Sequence, residues 1–255
     1  MKNLTYILIA SIISCYHNQP LEANTSHIQV ISGKHADVFN IVQNYLPQNP
    51  VILEAGAFDG VDTERMKIIW PEATIFSFEP DPENFVKLQN KTKNLKNVFI
   101  STLALSDKIG QAIFYRSQDQ RNVGNRQSGS LLAPKEHLAY APHVTFSNDF
   151  DVYTTTIDDW AKTQGINQID FLWLDMQGAE LLALKAGTNI LKNVRAIYTE
   201  VEFVEAYKDQ ALCGELQHWL EGQGFTLIAQ DFPLEKNKKW YGNILMVKIP
   251  GNKEL

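Results

Sequence analysis

Cysteine, clustered positive charge and long apolar runs are all scarce in this sequence. Its 255 residues include two cysteines, Cys15 and Cys213, which excludes a disulfide-rich scaffold and leaves no zinc-binding motif. If Cys15 is removed or lipidated, no intramolecular disulfide is expected. The formal net charge is −6 and lysine and arginine form no dense run, so nucleic acid is not an expected partner.

The main apolar run lies at the N-terminus. Residues 4–13 follow a single lysine, as in a secretory signal, and they are too few to span a bilayer comfortably. Residues 12–15 resemble a bacterial lipoprotein signal, in which Cys15 would carry the lipid and tether the chain to a membrane. Residues 21–23 offer another cleavage site, and an uncleaved anchor or a mis-assigned start is the alternative. We therefore set residues 1–23 apart from the fold.

Composition indicates one domain of ordinary size. Hydrophobic residues make up 44% and charged residues 20% of the chain, enough for one substantial core. We expect an N-terminal helical cover over residues 24–50 and a single domain over residues 51–255. Within that domain, residues 117–149 are rich in polar residues and glycine and are longer than an ordinary connection. We expect a lid there, with a disordered insertion as the alternative.

The most informative stretch is a predicted buried strand that ends in an acid and turns through glycines into a helix. Glu54, Gly56 and Gly60 form the pattern E-x-G-x-x-x-G. In a parallel α/β sheet a ligand lies beyond the carboxyl ends of the strands, where glycine lets the backbone approach it. The dinucleotide pattern G-x-G-x-x-G does not fit, because alanines replace its first two glycines. The pattern suits S-adenosylmethionine, which has a cationic amino-acid tail and no pyrophosphate. Glu54 would hold the methionine amine through water, or else face the neighbouring strand.

The strands that follow extend this prediction. Residues 73–78 form a β-rich apolar run before Glu79, an acid placed to accept hydrogen bonds from both ribose hydroxyls. Asp81 is expected to cap the next helix. After a short third strand, Ser106 and Asp107 are candidate contacts to the adenine ring.

Five motifs together resemble the FkbM family of S-adenosylmethionine-dependent methyltransferases, in the family's order and between about residues 51 and 247. They are Glu-Ala-Gly-Ala-Phe-Asp-Gly at 54–60, Phe-Glu-Pro-Asp-Pro at 78–82, Ala-Leu-Ser-Asp at 104–107, Thr-Thr-Ile-Asp-Asp at 155–159 and Leu-Asp-Met-Gln-Gly-Ala-Glu at 174–180.

The resemblance implies an α/β fold with a Rossmann-like class I methyltransferase sheet. Such a sheet is mostly parallel, with an antiparallel edge strand and helices on both faces, and we expect residues 225–229 and 243–247 to be antiparallel neighbours at one edge. The resemblance also implies S-adenosylmethionine as the cofactor and O-methylation of a hydroxyl on a sugar, glycan or secondary metabolite.

Two positions depart from the family's usual Lys-x-Asp-x-Glu-Gly-Ala-Glu motif. Trp173 stands in place of the lysine and Gln177 in place of the first glutamate. Because a cation and an anion are lost together, we expect the cofactor corner to be kept and the substrate contacts to differ.

Methyl transfer to an alcohol needs alignment of the oxygen with the methyl group and a base for the proton. The base is expected at the ends of the fourth and fifth strands, which nominates Asp175, Glu180 and Glu200, with Asp175 first. His137 and His143 on the expected lid are alternatives. Asp175 and Glu180 could instead stabilise a helix start. Asp175 and Glu200 without a third ligand are weak evidence for a divalent ion, and we predict no metal.

Two other functions stay open at this point. A secreted, non-catalytic binding protein could keep the nucleotide fold, which would fit the signal-like N-terminus and the changed residues Trp173 and Gln177. The second alternative is a nucleotide-sugar or NAD-dependent oxidoreductase, although the absence of the dinucleotide-binding pattern argues against this function. The N-terminus indicates secretion or lipoprotein-type attachment. S-adenosylmethionine is made in the cytosol, so an exported enzyme would still need access to the cytosol.

Overall fold

The computed structural model describes residues 29–30, 36–147, 149–232 and 240–249. The strands in these ranges are β1 (Gln29–Val30), β2 (Val51–Ala55), β3 (Thr74–Phe78), β4 (Val98–Ser101), β5 (Ala104–Leu105), β6 (Gly110–Phe114), β7 (Ser117–Asp119), β8 (Val144–Phe146), β9 (Phe150–Thr155), β10 (Phe171–Leu174), β11 (Ala196–Glu202), β12 (Thr226–Asp231) and β13 (Tyr241–Val247). The helices are α1 (Ala36–Val42), α2 (Val61–Ile69), α3 (Pro82–Thr92), α4 (His137–Tyr140), α5 (Ile157–Gln164), α6 (Glu180–Lys185), α7 (Thr188–Leu191) and α8 (Cys213–Gly222).

The central sheet has the strand order β1-β12-β13-β11-β10-β2-β3-β4. Strands β4, β3, β2, β10 and β11 are parallel, whereas β13 runs antiparallel to both β11 and β12. The predicted α/β fold, with its two antiparallel neighbours near one edge, is therefore confirmed. After β2 the chain continues to β3 on one side, and it returns to β10 on the other. Ligands in open α/β sheets bind where the strand order switches in this way, here at the carboxyl ends of β2 and β10.

Both faces of the sheet are buried, which explains the near-continuous apolar sequence of its strands. On one face, residues such as Leu53 and Leu172 pack with helices α5 to α8. On the other face, Phe171 and Trp173 pack with α1 and α2. Side chains alternate between the two faces because successive residues of a strand point in opposite directions. Each fully buried large apolar side chain contributes about 1.5–3 kcal/mol.

Trp173, which replaces the family's usual lysine, belongs to this second core. Its ring stacks on Phe39 with centroids 5.2 Å apart and lies 4.5 Å from the ring of Tyr198. The side chain is 3% exposed. An apolar ring here avoids the cost of burying a charge, so the packing accounts for tryptophan at this position.

Helix α3 begins as the sequence predicts. The side chain of Asp81 accepts the backbone N–H of Glu83 at 2.8 Å, and Pro82 occupies the first helical position. The same carboxylate also accepts two hydrogen bonds from Arg116, at 2.8 and 3.1 Å. The expected cap is therefore confirmed, and it also ties α3 to the chain that enters the 117–149 segment.

The 117–149 segment contains β7, α4 and β8 and is joined to the domain by several contacts on both sides of the sheet. Towards α3, Arg126 pairs with Glu83 at 3.0 Å. Towards the chain after β11, the N–H of His137 donates to the carbonyl of Ala206 at 3.1 Å. The segment thus crosses from the β3 side of the sheet to the β11 side, and its role as a lid stays a prediction.

The N-terminal predictions concern residues outside the described ranges, so the signal and lipoprotein assignments of residues 1–23 stay predictions. Cys213, at the start of α8, is buried. The sequence predicts that no intramolecular disulfide forms if Cys15 is removed or lipidated, and this stays a prediction. Within the described ranges, no helix is both long and apolar enough to cross a membrane.

Candidate active site

A cavity of about 940 Å³ lies at the carboxyl ends of β2, β3, β10 and β11, under the 117–149 segment. Four residues nominated from the sequence line it together: Gly56, Glu79, Asp175 and Glu200. The other nominated residues do not line it, namely Glu54, Gly60, Ser106, Asp107 and Glu180. The structure thus brings four of the nominated residues together at one corner of the fold, and the roles of all of them stay predictions.

Glu79 lies at the end of β3 with its carboxylate fixed by the backbone. One oxygen accepts the N–H of Phe58 at 2.9 Å and the other accepts the N–H of Asp81 at 2.9 Å. Burial raises the pKa of Glu79 to about 8, although these two hydrogen bonds favour its charged form. The backbone leaves a lone pair on each oxygen, and the Asn84 side chain also hydrogen-bonds this carboxyl group; a pair of vicinal hydroxyls suits the same positions.

Gly56 brings the turn after β2 against the end of β10. Its φ is +82°, and a Cβ added there would lie 1.8 Å from the carbonyl oxygen of Asp175. Its N–H donates to the carbonyl of Phe78 at 3.0 Å. The packing of the chain itself therefore requires glycine here, and the same close approach leaves the Gly56 backbone on the cavity wall.

Glu54 and Gly60 act within the protein rather than at the cavity surface. Glu54 is fully buried and accepts the hydroxyls of Thr63 at 2.5 Å and Ser77 at 2.6 Å. It thereby joins α2 to β3, and burial raises its pKa to about 8. Gly60 begins α2 with φ +79°, and a Cβ there would lie 3.0 Å from Leu88 of α3.

Ser106 and Asp107 also lie away from the cavity. The Ser106 hydroxyl donates to the Asp107 carboxylate at 3.1 Å. The cavity wall at this point consists instead of the preceding residues Leu103, Ala104 and Leu105. An apolar wall of this kind suits the face of an adenine ring, whereas the two nominated polar side chains point elsewhere.

Asp175 follows β10, Glu200 lies within the neighbouring strand β11, and a third side chain bridges the two acids. The Nε2 amide of Gln177 donates to Asp175 at 2.8 Å and to Glu200 at 2.6 Å. Burial and then the neighbouring charge of Asp175 raise the pKa of Glu200 well above its usual range. Burial likewise raises the pKa of Glu202, which also lines the cavity. Acids that share a buried site in this way favour holding a proton between them.

Glu180 supports the turn that carries these groups. Its carboxylate accepts the N–H of Met176 at 2.7 Å, and burial raises its pKa to about 7. It lies in the first turn of α6, where a negative charge is favourable. This geometry matches the helix-start alternative weighed for Glu180 from the sequence.

The two candidate histidines both line the cavity from the 117–149 segment. His137 is buried among Tyr140, Phe146 and Tyr207, whose ring centroids lie 4.9 to 5.5 Å from the centroid of its own ring. Burial lowers the pKa of His137 to about 4, so its ring is neutral at neutral pH.

Sequence reasoning missed several lining residues. Glu202 could have been found, because it lies two residues after Glu200 in one strand and so shares its face. Asp59 and Asp62, beside Gly56, also line the cavity. The bridging role of Gln177 had no sequence signal beyond its departure from the family motif.

Among the described residues, no group of three or more His, Cys, Asp or Glu side chains could hold a metal ion.

In sequence, the chain is similar to known methyltransferases. The model of the methyltransferase FkbM domain matches residues 54–227. The 2-O-methyltransferase NoeI of Sinorhizobium fredii (strain NBRC 101917 / NGR234) is 34% identical over 186 residues, which cover 72% of this chain and 75% of that protein. Methyltransferase sdnD of Sordaria araneosa is 24% identical over 260 residues, covering 89% of this chain and 91% of that protein.

A solved structure of magnesium protoporphyrin IX methyltransferase from Synechocystis PCC 6803 with bound S-adenosylmethionine aligns with a TM-score of 0.48. It is 11% identical and covers 84% of this chain and 77% of that one.

The fold, the cavity at the strand switch and the family match define a methyltransferase that uses S-adenosylmethionine. The chain belongs to the FkbM methyltransferase family. The predictions of family, enzyme class and cofactor are confirmed, and a non-catalytic binding protein is not favoured.

Proposed function

We propose that this protein transfers the methyl group of S-adenosylmethionine to a hydroxyl oxygen of a sugar, a glycan or another small hydroxylated molecule. One observation carries the proposal: Glu79 and the pair Asp175 and Glu200 line the same cavity from different strands. The name of the 34% identical relative, 2-O-methyltransferase NoeI, supports an oxygen acceptor.

The residues around Gly56 and Glu79 would hold the cofactor. Glu79 would accept the two ribose hydroxyls with the lone pairs that the backbone leaves unused. The apolar wall at residues 103–105 would cover the adenine ring, and Asp59 and Asp62 would attract the cationic amine. Bound there, S-adenosylmethionine supplies an electrophilic methyl group on a sulfonium. Glu54, Gly60, Ser106 and Asp107 would support these loops from behind rather than touch the cofactor.

Asp175 and Glu200 would accept the proton of the acceptor hydroxyl. Both lie at the strand ends beside the cofactor corner, and both are held by Gln177. A base within hydrogen-bonding reach of a hydroxyl removes its proton as the oxygen becomes a nucleophile. Glu180 would position the turn between them through its bond to Met176.

The far side of the cavity suits a polyhydroxylated acceptor. Glu202, Tyr241 and Asn243 line it beyond Glu200, and Tyr140 lies opposite on the 117–149 segment. Acids and amides accept and donate several hydrogen bonds to hydroxyl groups, while aromatic rings cover apolar ring faces. The pairing of β11 with β13 places Glu202 opposite Tyr241 and Glu200 opposite Asn243.

The test is methyl transfer by the full chain, using S-adenosylmethionine with a labelled methyl group and a panel of mono- and oligosaccharides. We expect a labelled methyl ether, located by mass spectrometry, and a loss of about a hundredfold or more in kcat for Asp175→Asn and Glu200→Gln. Glu72→Gln, at an exposed position, is the matched control. Label on nitrogen or carbon, or on no acceptor at all, would count against the proposal.

The domain arrangement is part of the same proposal. Residues 51–255 would form the methyltransferase domain, with residues 117–149 as a lid over the donor and acceptor. Residues 1–23 would be a signal or a lipid-bearing tether. Mass spectrometry of the N-terminus of protein purified from its own host tests the last point: a chain that keeps residues 1–23 unmodified contradicts both signal assignments.

A further inference from the structure

Gln177 joins the two acids that face the acceptor side of the cavity. Its Nε2 carries two hydrogens, and one reaches Asp175 at 2.8 Å while the other reaches Glu200 at 2.6 Å. Its backbone φ is +55°, a left-handed conformation that few residues other than glycine adopt. This conformation is part of the turn between β10 and α6, and it directs the side chain across to β11.

The other end of the Gln177 side chain is fixed as well. Its Oε1 accepts the hydroxyl of Tyr207 at 2.9 Å, and that hydroxyl also lies 3.0 Å from the carbonyl oxygen of Ser128. The Ser130 hydroxyl donates to the Gln177 backbone carbonyl at 2.8 Å. Two acids on one side and a hydroxyl donor on the other set the orientation of the amide. The 117–149 segment, through Ser128 and Ser130, therefore holds the bridge in place.

The electrostatic surroundings make this bridge necessary. The charged groups that act on Glu200 are all acids: Asp175, Glu202 and Glu180, in order of effect. The hydroxyls of Tyr198 and Tyr207 and the carboxylate of Asp231 also belong to this group of interacting titratable side chains. Two partly buried carboxylates that share one amide donor repel each other unless a proton or a donor lies between them. Gln177 supplies a neutral donor to both.

We infer that Gln177 is a positioning residue for methyl transfer, and that it holds Asp175 and Glu200 as one pair that shares a single proton and accepts a second. This inference rests on the proposed function. In the step, the O–H bond of the acceptor breaks and its proton goes to the ionised carboxylate of the pair. The oxygen forms the new O–C bond while the electron pair of the breaking C–S bond stays on sulfur. Loss of the sulfonium charge balances the neutralised carboxylate.

The principal test replaces the amide by an acid of the same size, Gln177→Glu. A third negative charge would raise the pKa values of the pair, so we expect the acid limb of the pH profile of kcat/KM to move up by about one pH unit. We expect kcat at pH 7 to fall about tenfold while the KM for S-adenosylmethionine changes little. Gln111→Glu, which adds the same charge on an exposed strand, should leave the pH profile unchanged.

A second variant, and a measurement of stability that does not require activity, test the inference independently. Gln177→Met removes both hydrogen bonds without adding charge, and we expect a lower kcat with S-adenosylhomocysteine binding retained. In the unliganded protein, an acid with a raised pKa stabilises the fold at low pH and loses that contribution as pH rises. The free energy of unfolding of Gln177→Glu should therefore fall more steeply between pH 5 and 8 than that of Gln111→Glu.

The outcomes separate this inference from the proposed function. If the wild type transfers methyl groups but Gln177→Glu keeps the wild-type pH profile, the inference is wrong and the proposed function stands. Identical pH dependence of unfolding for Gln177→Glu and Gln111→Glu also overturns the inference, whether or not an acceptor is known. A wild type that binds S-adenosylhomocysteine but methylates no hydroxyl contradicts the proposed function instead.

Discussion

The carboxylate of Glu79 accepts the backbone N–H of Phe58 at 2.9 Å, which joins the end of β3 to the turn after β2. Phe58 itself has φ +49°, so the turn holds an uncommon conformation that this bond helps to fix. The other Glu79 oxygen accepts the N–H of Asp81, which begins α3. One buried acid thus organises the corner at which two strands, a turn and a helix meet.

The first prediction concerns Gly56. Gly56→Ala would place a Cβ 1.8 Å from the Asp175 carbonyl oxygen at a backbone φ of +82°. We expect the free energy of unfolding to fall by about 3 kcal/mol or more, because both the clash and the left-handed conformation oppose alanine. Chemical denaturation measures this change. Gly124→Ala, also at positive φ but with no atom within 4 Å of the added Cβ, isolates the clash.

If Gly56→Ala and Gly124→Ala were equally stable, the close approach of the β2 turn to β10 would be incorrect. In that case the packing of the chain would not explain why residue 56 is glycine, and close approach of a ligand to the backbone would be the remaining reason.

The second prediction concerns Glu54 and pH. Burial raises its pKa to about 8, so the protonated form stabilises the fold at low pH and this contribution is lost as pH rises from about 5 towards 8. Glu54→Gln keeps an oxygen for the Thr63 and Ser77 hydroxyls and cannot ionise. We expect the variant to be more stable than the wild type at pH 8.5, by roughly 2 kcal/mol, and nearly equal at pH 5.

Urea unfolding at the two pH values measures this difference. Glu72→Gln, at an exposed position, should show no such divergence. A Glu54→Gln variant that is less stable than the wild type at both pH values would mean that Glu54 is ionised in the folded protein.

The third prediction concerns the attachment of the 117–149 segment. Arg116 makes two hydrogen bonds to Asp81 and lies 4.6 Å from the ring centre of Phe150. Arg116→Met keeps the apolar stem and leaves the buried Asp81 carboxylate without its cation. We expect a loss of about 2 kcal/mol in unfolding free energy, together with faster hydrogen exchange across residues 117–130.

Arg65→Met is the matched control, because Arg65 pairs with Asp62 at an exposed position and such pairs contribute little. Unchanged exchange in residues 117–130 of Arg116→Met would show that Arg116 does not hold this segment.

Much of the fold could be predicted from the sequence because local patterns determine it. The apolar run before Glu79 and the cap at Asp81 are local signals, and both strand and helix form where these signals place them. The strand-end acids also predicted the corner at which the cavity lies. The antiparallel neighbours were likewise predicted from the two strand-like runs at residues 225–229 and 243–247.

The orientation of individual side chains could not be predicted in this way. Glu54 is the residue before the last one of β2. Because successive side chains of a strand point to opposite faces, its side chain is directed towards Thr63 and Ser77 rather than the cavity. The role of Gln177 depends on Tyr207, thirty positions later in the chain, and on a left-handed backbone conformation. Such contacts arise from tertiary packing, which the sequence pattern does not encode locally.

The most direct test of the central claim is calorimetric titration of the full chain with S-adenosylhomocysteine, in the wild type, in Glu79→Ala and in Glu72→Ala as control. We expect binding by the wild type and the control, and affinity weaker by about a hundredfold in Glu79→Ala, because two hydrogen bonds to the buried Glu79 carboxyl group are lost. A wild type that does not bind, or a Glu79→Ala variant that binds equally well, would contradict the cofactor site described here.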